Sequence, residues 1–317
     1  KKPMKLKPSP FLCRANLSIG NPSCASIFAT LAFSFLYISS ARAETRIWDG
    51  GATVSGTNGA GTAMNTGANW GIPGNPGANA LPVSGDTLEF NGFDSSTADL
   101  NMNGAWFASP GALAAVNVNQ TNPLTFATIT NTSYLRMASG SNFTVTNGAV
   151  TFNAGRIVFG VGTLTTESFT LTNNSASPVT WGTGAATPIV VGTGPAAGGG
   201  RNLSFAGTGD WVFNSKFDGG IMAVVTKTGA GALTLNATGN LLANIATTPL
   251  TISQGSIVLT GAANLNGGAY ASPISNSGSL VYSSSASQTL SGAITGTGSL
   301  TKNTSTSSTL TLAGVNN

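Results

Sequence analysis

Beyond residue 43, apolar and polar residues alternate at a period of two, in short runs such as Thr87-Leu88-Glu89-Phe90, Phe143-Thr144-Val145-Thr146 and Phe169-Thr170-Leu171-Thr172. Further runs are Trp211-Val212-Phe213 and Ser256-Ile257-Val258-Leu259. A strand with one buried face needs this alternation, because successive side chains point to opposite sides. The runs recur about every 8–12 residues between corners of Gly, Asn and Ser, as in all-β chains. Their polar members are mostly Thr and Ser, which suit a pleated surface without adding charge. No stretch of useful length repeats at 3.6 residues with a cap, so helix is not expected. This spacing is compatible with a sandwich, a barrel or a parallel β-helix.

The corners and a repeat favour the last of these. Thr226-Lys227-Thr228-Gly229-Ala230-Gly231-Ala232-Leu233-Thr234-Leu235 has a second version at residues 300–314. Both read Thr-Lys, a turn of small residues, Leu-Thr-Leu and a later Gly. A corner followed by a strand, repeated, is the unit from which solenoids are stacked. The unit resembles the autotransporter-associated β-strand repeat of bacterial secreted passenger proteins. Residues 226–240 carry that pattern in Gly229, Gly231, Leu233, Leu235, Gly239 and Asn240. They depart from it at Val225, where Leu is usual, and at Ala237-Thr238, which delay the Gly. The second copy, 300–314, keeps Leu300, Lys302, Leu310, Leu312 and Gly314 but replaces the Gly-x-Gly turn with residues 303–308. The lead-in from Gly292 to Leu300 is similar to the family as well.

The expected fold is therefore all-β, a parallel β-helix (β-solenoid) over 111–317, truncated at its C-terminus. At roughly 20–30 residues per coil, this span holds about eight coils. Inward Leu, Val, Ile and Phe build its core, with Leu233 and Leu235 pointing inward. Corner asparagines, of which Asn236, Asn240, Asn264 and Asn266 are examples, either stack along the axis or serve ordinary turns. Residues 44–110 differ in holding Trp48-Asp49-Gly50-Gly51, Asn69-Trp70, Pro73, Pro76, Pro82 and Asp86. This run resembles the mature N-terminus of proteins carrying the repeat, and its expected work is to cap the first coil's open edge.

Residues 1–43 read as a secretory signal. Lys1, Lys2, Lys5, Lys7 and Arg14 are followed by an uncharged apolar run at 27–38 and a small-x-small cleavage site at Ala41-Arg42-Ala43. The run is short of the about 20 residues that a membrane span needs. Six of the 13 basic residues lie before position 44 and all nine carboxylates after it, so the mature chain has seven basic groups against nine acidic. The sequence pI of about 9.3 thus belongs to the leader. The electrostatic argument for nucleic acid as a partner goes with it. Cys13 and Cys24 also lie in the leader, leaving no cysteine for disulfides.

The chain has no histidine. This excludes His triads, His general bases and His metal sites. Neither a phosphate-binding Gly-Lys-Ser/Thr loop nor a Gly-Gly-x-Gly-x-Asp calcium repeat occurs, and no cofactor or metal site is expected. Carboxylates remain as a route to catalysis, since glycoside hydrolysis needs a pair of acids. Asp94 with Asp99, and Asp210 with Asp218 around Lys216, are the pairs that lie near each other in sequence. Solvated loop acids are the favoured reading of all four, and no catalytic residue is assigned. The resemblance implies a secreted or cell-surface, non-enzymatic passenger of a Gram-negative-type bacterium, with a structural or adhesive role. Surface polysaccharide or another extracellular ligand is its expected partner, and end-to-end self-association is expected at the truncated coil. The alternatives are a carbohydrate-active β-helix enzyme and a carbohydrate-binding surface protein using Trp48, Trp70 or Trp106.

Overall fold

Short alternating runs can bury one face only where other strands lie beside them to extend that face. We describe the fold from a computed structural model, which covers residues 43–48, 69–75, 81–91, 99–101, 112–127, 134–153, 156–159, 166–182, 189–190, 200–215, 217–218, 222–236, 239–241, 249–303 and 308–317. The expected signal at 1–43 lies outside the described residues except for Ala43.

Two long sheets carry most of the strands. Sheet one has twelve strands and sheet two has nine; three short sheets of two or three strands accompany them. Along the chain, strands of sheet one and sheet two alternate. Leu113–Asn119, Tyr134–Asn147, Glu167–Asn173, Arg201–Ala206, Met222–Lys227, Leu250–Ile252, Ile274–Asn276 and Ile294–Thr295 follow one another in sheet one. Leu124–Ala127, Val150–Phe152, Val179–Trp181, Trp211–Phe213, Ala232–Leu235, Ser256–Gly261, Ser279–Ser284 and Ser299–Lys302 interleave with them in sheet two. These neighbours pair in parallel. Stacked positions lie from 20 residues apart, as for Ser279 and Ser299, to 34, as for Ser168 and Asn202. Eight strands on the path of sheet one thus begin after residue 111. Among the described residues there is no α-helix, and no helix long and apolar enough to cross a membrane. The architecture is all-β and compatible with the expected β-helix.

Segment 44–110 contributes to the same sheet. Thr45–Trp48 pairs in parallel with Thr87–Phe90, and the latter with Leu113–Asn119. The edge is closed by Trp70–Gly71, which pairs antiparallel with Thr45–Trp48 so that Trp48 faces Trp70. A two-residue antiparallel edge strand offers little template for further pairing.

The core consists of inward columns. In sheet one the column runs Leu88, Val116, Phe143, Leu171, Phe205, Lys227, Ile252, Asn276. In sheet two it runs Phe126, Phe152, Trp181, Phe213, Leu235, Leu259 and Tyr282, and the next position in register is the exposed Lys302. The first four rings of the second column lie 4.7, 4.8 and 4.7 Å apart between centroids. Leu233 and Leu235 are buried, as expected.

The Gly-x-Gly corner also has a direct cause. A Cβ on Gly229 would lie 2.0 Å from the Gly207 carbonyl oxygen, and one on Gly231 would lie 2.2 Å from that of Gly209. Successive corners stack backbone on backbone, and only glycine leaves room. One level before Gly207-Thr208-Gly209 the same corner is Asn173-Asn174-Ser175. There the Asn173 amide donates to the carbonyls of Ser177 (3.0 Å) and Asp210 (2.8 Å), while its Oδ1 accepts from Ser175 N at 3.0 Å.

The two sequence repeats do not occupy equivalent places. Lys227 lies in sheet one and Leu233 in sheet two. Leu300 and Lys302 instead both lie in sheet two, stacked above Leu280 and Tyr282, and Leu310–Leu312 lies in the third short sheet. The structural counterpart of Gly229-Ala230-Gly231 is Gly296-Thr297-Gly298, in the lead-in to the second copy: Gly296 and Gly298 stack on Asn276 and Gly278. Leu300 therefore stands at the level of Leu233 and Lys302 at that of Leu235.

Candidate functional site

The outward columns are as regular as the inward ones. In sheet one, Thr87, Ala115, Asn142, Thr170, Ser204, Thr226, Thr251, Ser275 and Thr295 stand in register on nine successive strands. None carries a charge, and eight of the nine present a hydroxyl or an amide. In sheet two the outward column is Thr125, Thr151, Thr180, Val212, Thr234, Val258, Val281 and Thr301, all β-branched. Strand spacing sets a repeat of about 4.8 Å along either column. Restricted χ1 rotation holds a β-branched column stiffly in place. Such faces can offer evenly spaced hydroxyls and methyls; they hold no nucleophile poised beside a base.

Glu89 shares the outward side of its strand with Thr87 and accepts from Asn117 Nδ2 at 2.8 Å. Asp86 is fully buried: its carboxylate accepts from Glu44 N at 2.7 Å, from Val83 N at 2.8 Å and from Arg46 Nε at 3.0 Å. Arg46 also meets Glu44 at 3.2 Å. This cluster ties the first two parallel strands together. Glu167 and Arg201, register partners on adjacent strands, form an inward ion pair at 3.0 Å with both side chains buried. Lys227 is 0% exposed between Phe205 and Ile252, and its Nζ donates to the Gly229 carbonyl oxygen. Burial lowers its pKa from 10.5 to about 8, against the opposing attraction of Asp210. Burial raises the pKa of Tyr270 and of Tyr282; for Tyr282 a hydrogen bond with Ser284 partly opposes the rise.

Of the four candidate acids, Asp210 has a described side chain. It is exposed, and its Oδ1 accepts from Ala232 N at 2.7 Å, steadying the start of the next strand. Asp99 pairs through its backbone with Thr125, and Asp218 with Val190; their side chains lie outside the described set, as do Asp94 and Lys216 entirely. No two candidate acids are brought together among the described side chains. No group of three His, Cys, Asp or Glu that could hold a metal occurs among the described residues either.

Trp48 and Trp70 are 1% and 0% exposed, with ring centroids 5.0 Å apart, edge to face. They pack against Phe90 and present no platform to a sugar. Trp106 lies outside the described residues. Asn236 does stack, donating to Asn214 Oδ1 at 3.0 Å. Asn240 pairs with Asn264 in register, and Asn266 serves a local turn through Ala269 O at 2.7 Å.

Sequence reasoning missed Lys227 and the Glu167–Arg201 pair. Both were signalled. Lys227 has the parity of buried Val225, and Glu167 and Arg201 each stand two residues before an inward apolar residue, Phe169 and Leu203. No protein-family model, curated protein or solved structure matches the chain.

Proposed function

We propose that the chain is a β-solenoid exported after loss of its leader, acting as a secreted or cell-surface structural and adhesive protein without an enzymatic reaction. The observation that carries this is the uncharged outward column of sheet one, in register over nine strands. A neutral hydroxyl and amide surface fits a neutral, hydroxyl-rich surface polysaccharide. Many weak contacts at a fixed repeat add up without any single deep pocket. The ordered visits to sheet one and sheet two, each parallel to the last, support the solenoid reading. The autotransporter-type repeat of the sequence supports export.

The test is retention of the folded protein on insoluble neutral glucan and on an acidic polysaccharide. The wild type is expected on the neutral matrix, and Thr226→Lys with Thr251→Lys is expected to lose most of that retention. Equal retention of the double variant, or release of reducing ends by the wild type, overturns the reading. Secreted material is expected to begin at Glu44; a membrane-bound product retaining residues 1–43 contradicts the export step.

The same reading includes association of copies through the last strands. Leu312 and Val315, in the final coil, are 46% and 81% exposed.

A further inference from the structure

The carboxylate of Asp86 is 0% exposed and receives three donors. Glu44 N lies 2.7 Å from its Oδ1, and Val83 N and Arg46 Nε lie 2.8 and 3.0 Å from its Oδ2. The backbone around it is held from both neighbouring strands. Asp86 N donates to Val83 O at 3.1 Å, Ala114 N to Asp86 O at 2.9 Å and Thr87 N to Glu44 O at 3.0 Å. Glu44 and Asp86 bring two carboxylates to this cluster, and Arg46 brings one guanidinium that meets both. The cluster is therefore one positive charge short.

We propose that Asp86 is the binding site for the α-ammonium group created when the leader is cut between Ala43 and Glu44. This rests on the export reading. The nitrogen concerned is already in place, since Glu44 N is the atom that donates to Asp86 Oδ1. In the uncut chain it is an amide, with one proton and no charge. Hydrolysis of the Ala43–Glu44 bond consumes one water, leaves a carboxylate on Ala43 and gives the nitrogen two further protons. The new charge makes the cluster neutral. A hydrogen bond from a charged donor is shorter and stronger than one from an amide. A buried carboxylate gains most from it, because undercompensated charge is costly away from water.

The position of the cut matters. Ala43 and Glu44 are both exposed, and Ala43–Asn317 forms one compact unit. One residue more or less displaces the ammonium by about 3.3 Å along an extended chain, out of hydrogen-bonding distance of Asp86. A cut after Ala43 alone puts it on the carboxylate. The cut thereby strengthens the first parallel pair, Thr45–Trp48 with Thr87–Phe90, at the end where Asp86 joins the two strands.

The test sequences the exported protein at its N-terminus and compares two forms of the chain, 44–317 and 43–317, each with a free amine. The two carry the same charges and differ in where the ammonium stands. In urea, 44–317 is expected to unfold with an equilibrium constant about tenfold lower than 43–317, the difference between a charged and a neutral hydrogen bond. Its α-amine is also expected to be acylated more slowly. Asp86→Asn is expected to remove both differences. Equal stability of the two forms, equal acylation of their α-amines, or differences that persist in Asp86→Asn overturn the proposal. The export reading then still stands if the exported protein begins at Glu44. An exported protein that begins elsewhere overturns the proposal together with the cleavage on which it rests. If Asp86→Asn does not fold, the two wild-type forms decide by themselves.

Discussion

Lys227 shows how one side chain can set a pH dependence. It occupies an inward position that every strand from Thr87–Phe90 to Glu167–Asn173 gives to Leu, Val or Phe. Its folded pKa, about 8, lies below the ordinary 10.5 because burial disfavours the ammonium. Between those values the unfolded chain binds more protons than the folded one, so stability rises as pH rises through that window. The full shift corresponds to at most ~3 kcal/mol. Tyr270 and Tyr282 act in the opposite sense above pH 10, since their raised folded values let the unfolded chain lose protons first. The rise is therefore cleanest from pH 8 to 10. The urea midpoint of the wild type is expected to climb over that interval. Lys227→Met is expected to start higher at pH 7 and to show no climb; a parallel climb in the variant refutes the assignment. At the corner, Gly229→Ala is expected to lower stability by about 1–3 kcal/mol or more, because the new methyl overlaps the Gly207 carbonyl. Thermal melting reads this directly.

At the scale of the element, sheet two changes character along its length. Its inward column is aromatic from Phe126 to Phe213, then aliphatic at Leu235 and Leu259. Trp181 touches Phe143, Phe152, Trp211 and Phe213, and so joins three successive strands of sheet two to sheet one. Trp181→Ala is expected to cost about 3–5 kcal/mol, measured by urea unfolding. In the aliphatic stretch a void of about 10 Å³ lies among Phe205, Val225, Leu233, Leu235, Leu250, Ile257 and Leu265. Leu233→Asp puts an unpaired carboxylate there and is expected to abolish soluble folded protein. Unchanged circular dichroism and melting contradict the inward placement of Leu233. The strands themselves were legible, since Trp211–Phe213, Leu250–Ile252 and Ser256–Gly261 are runs that alternate in the sequence and in burial alike. Their partners were not, because the residues between them say little about which alternating run lies alongside.

At the scale of the molecule, the two ends of sheet one differ. The first end is closed by Trp70–Gly71 over a cluster of Trp48, Trp70 and Phe90, all buried. The last strand is met by Asn316, whose Oδ1 accepts from Ile294 N at 2.9 Å, and by Asn317 N, which donates to Ile294 O at 3.1 Å. Ile294, Leu300 and Leu310 are only partly buried against the core. Hydrogen exchange is expected to run faster in strands Ile294–Thr295, Ser299–Lys302 and Leu310–Leu312 than in Val150–Phe152, Glu167–Asn173, Val179–Trp181, Arg201–Ala206 and Trp211–Phe213, where the aromatic side chains lie. Uniform protection across both sets of strands contradicts this gradient.

The sequence by itself determined where the alternating runs form strands, which apolar side chains face inward and where the chain turns. The reason is local: alternation has a period of two, and a Gly-x-Gly corner declares its own conformational need. It also determined the poverty of charge on the outward faces, since Thr, Ser and Val were legible at alternate positions. Only the tertiary structure decided which residues share a column. Asp86 draws Arg46 across 40 residues of chain, and Glu167 meets Arg201 because two strands happen to stack in that register. The two Thr-Lys repeats show the same limit. Their letters match, yet Lys227 is buried in sheet one and Lys302 is exposed at the end of sheet two. Which sheet a run joins depends on all the chain before it, and a short motif does not carry that count.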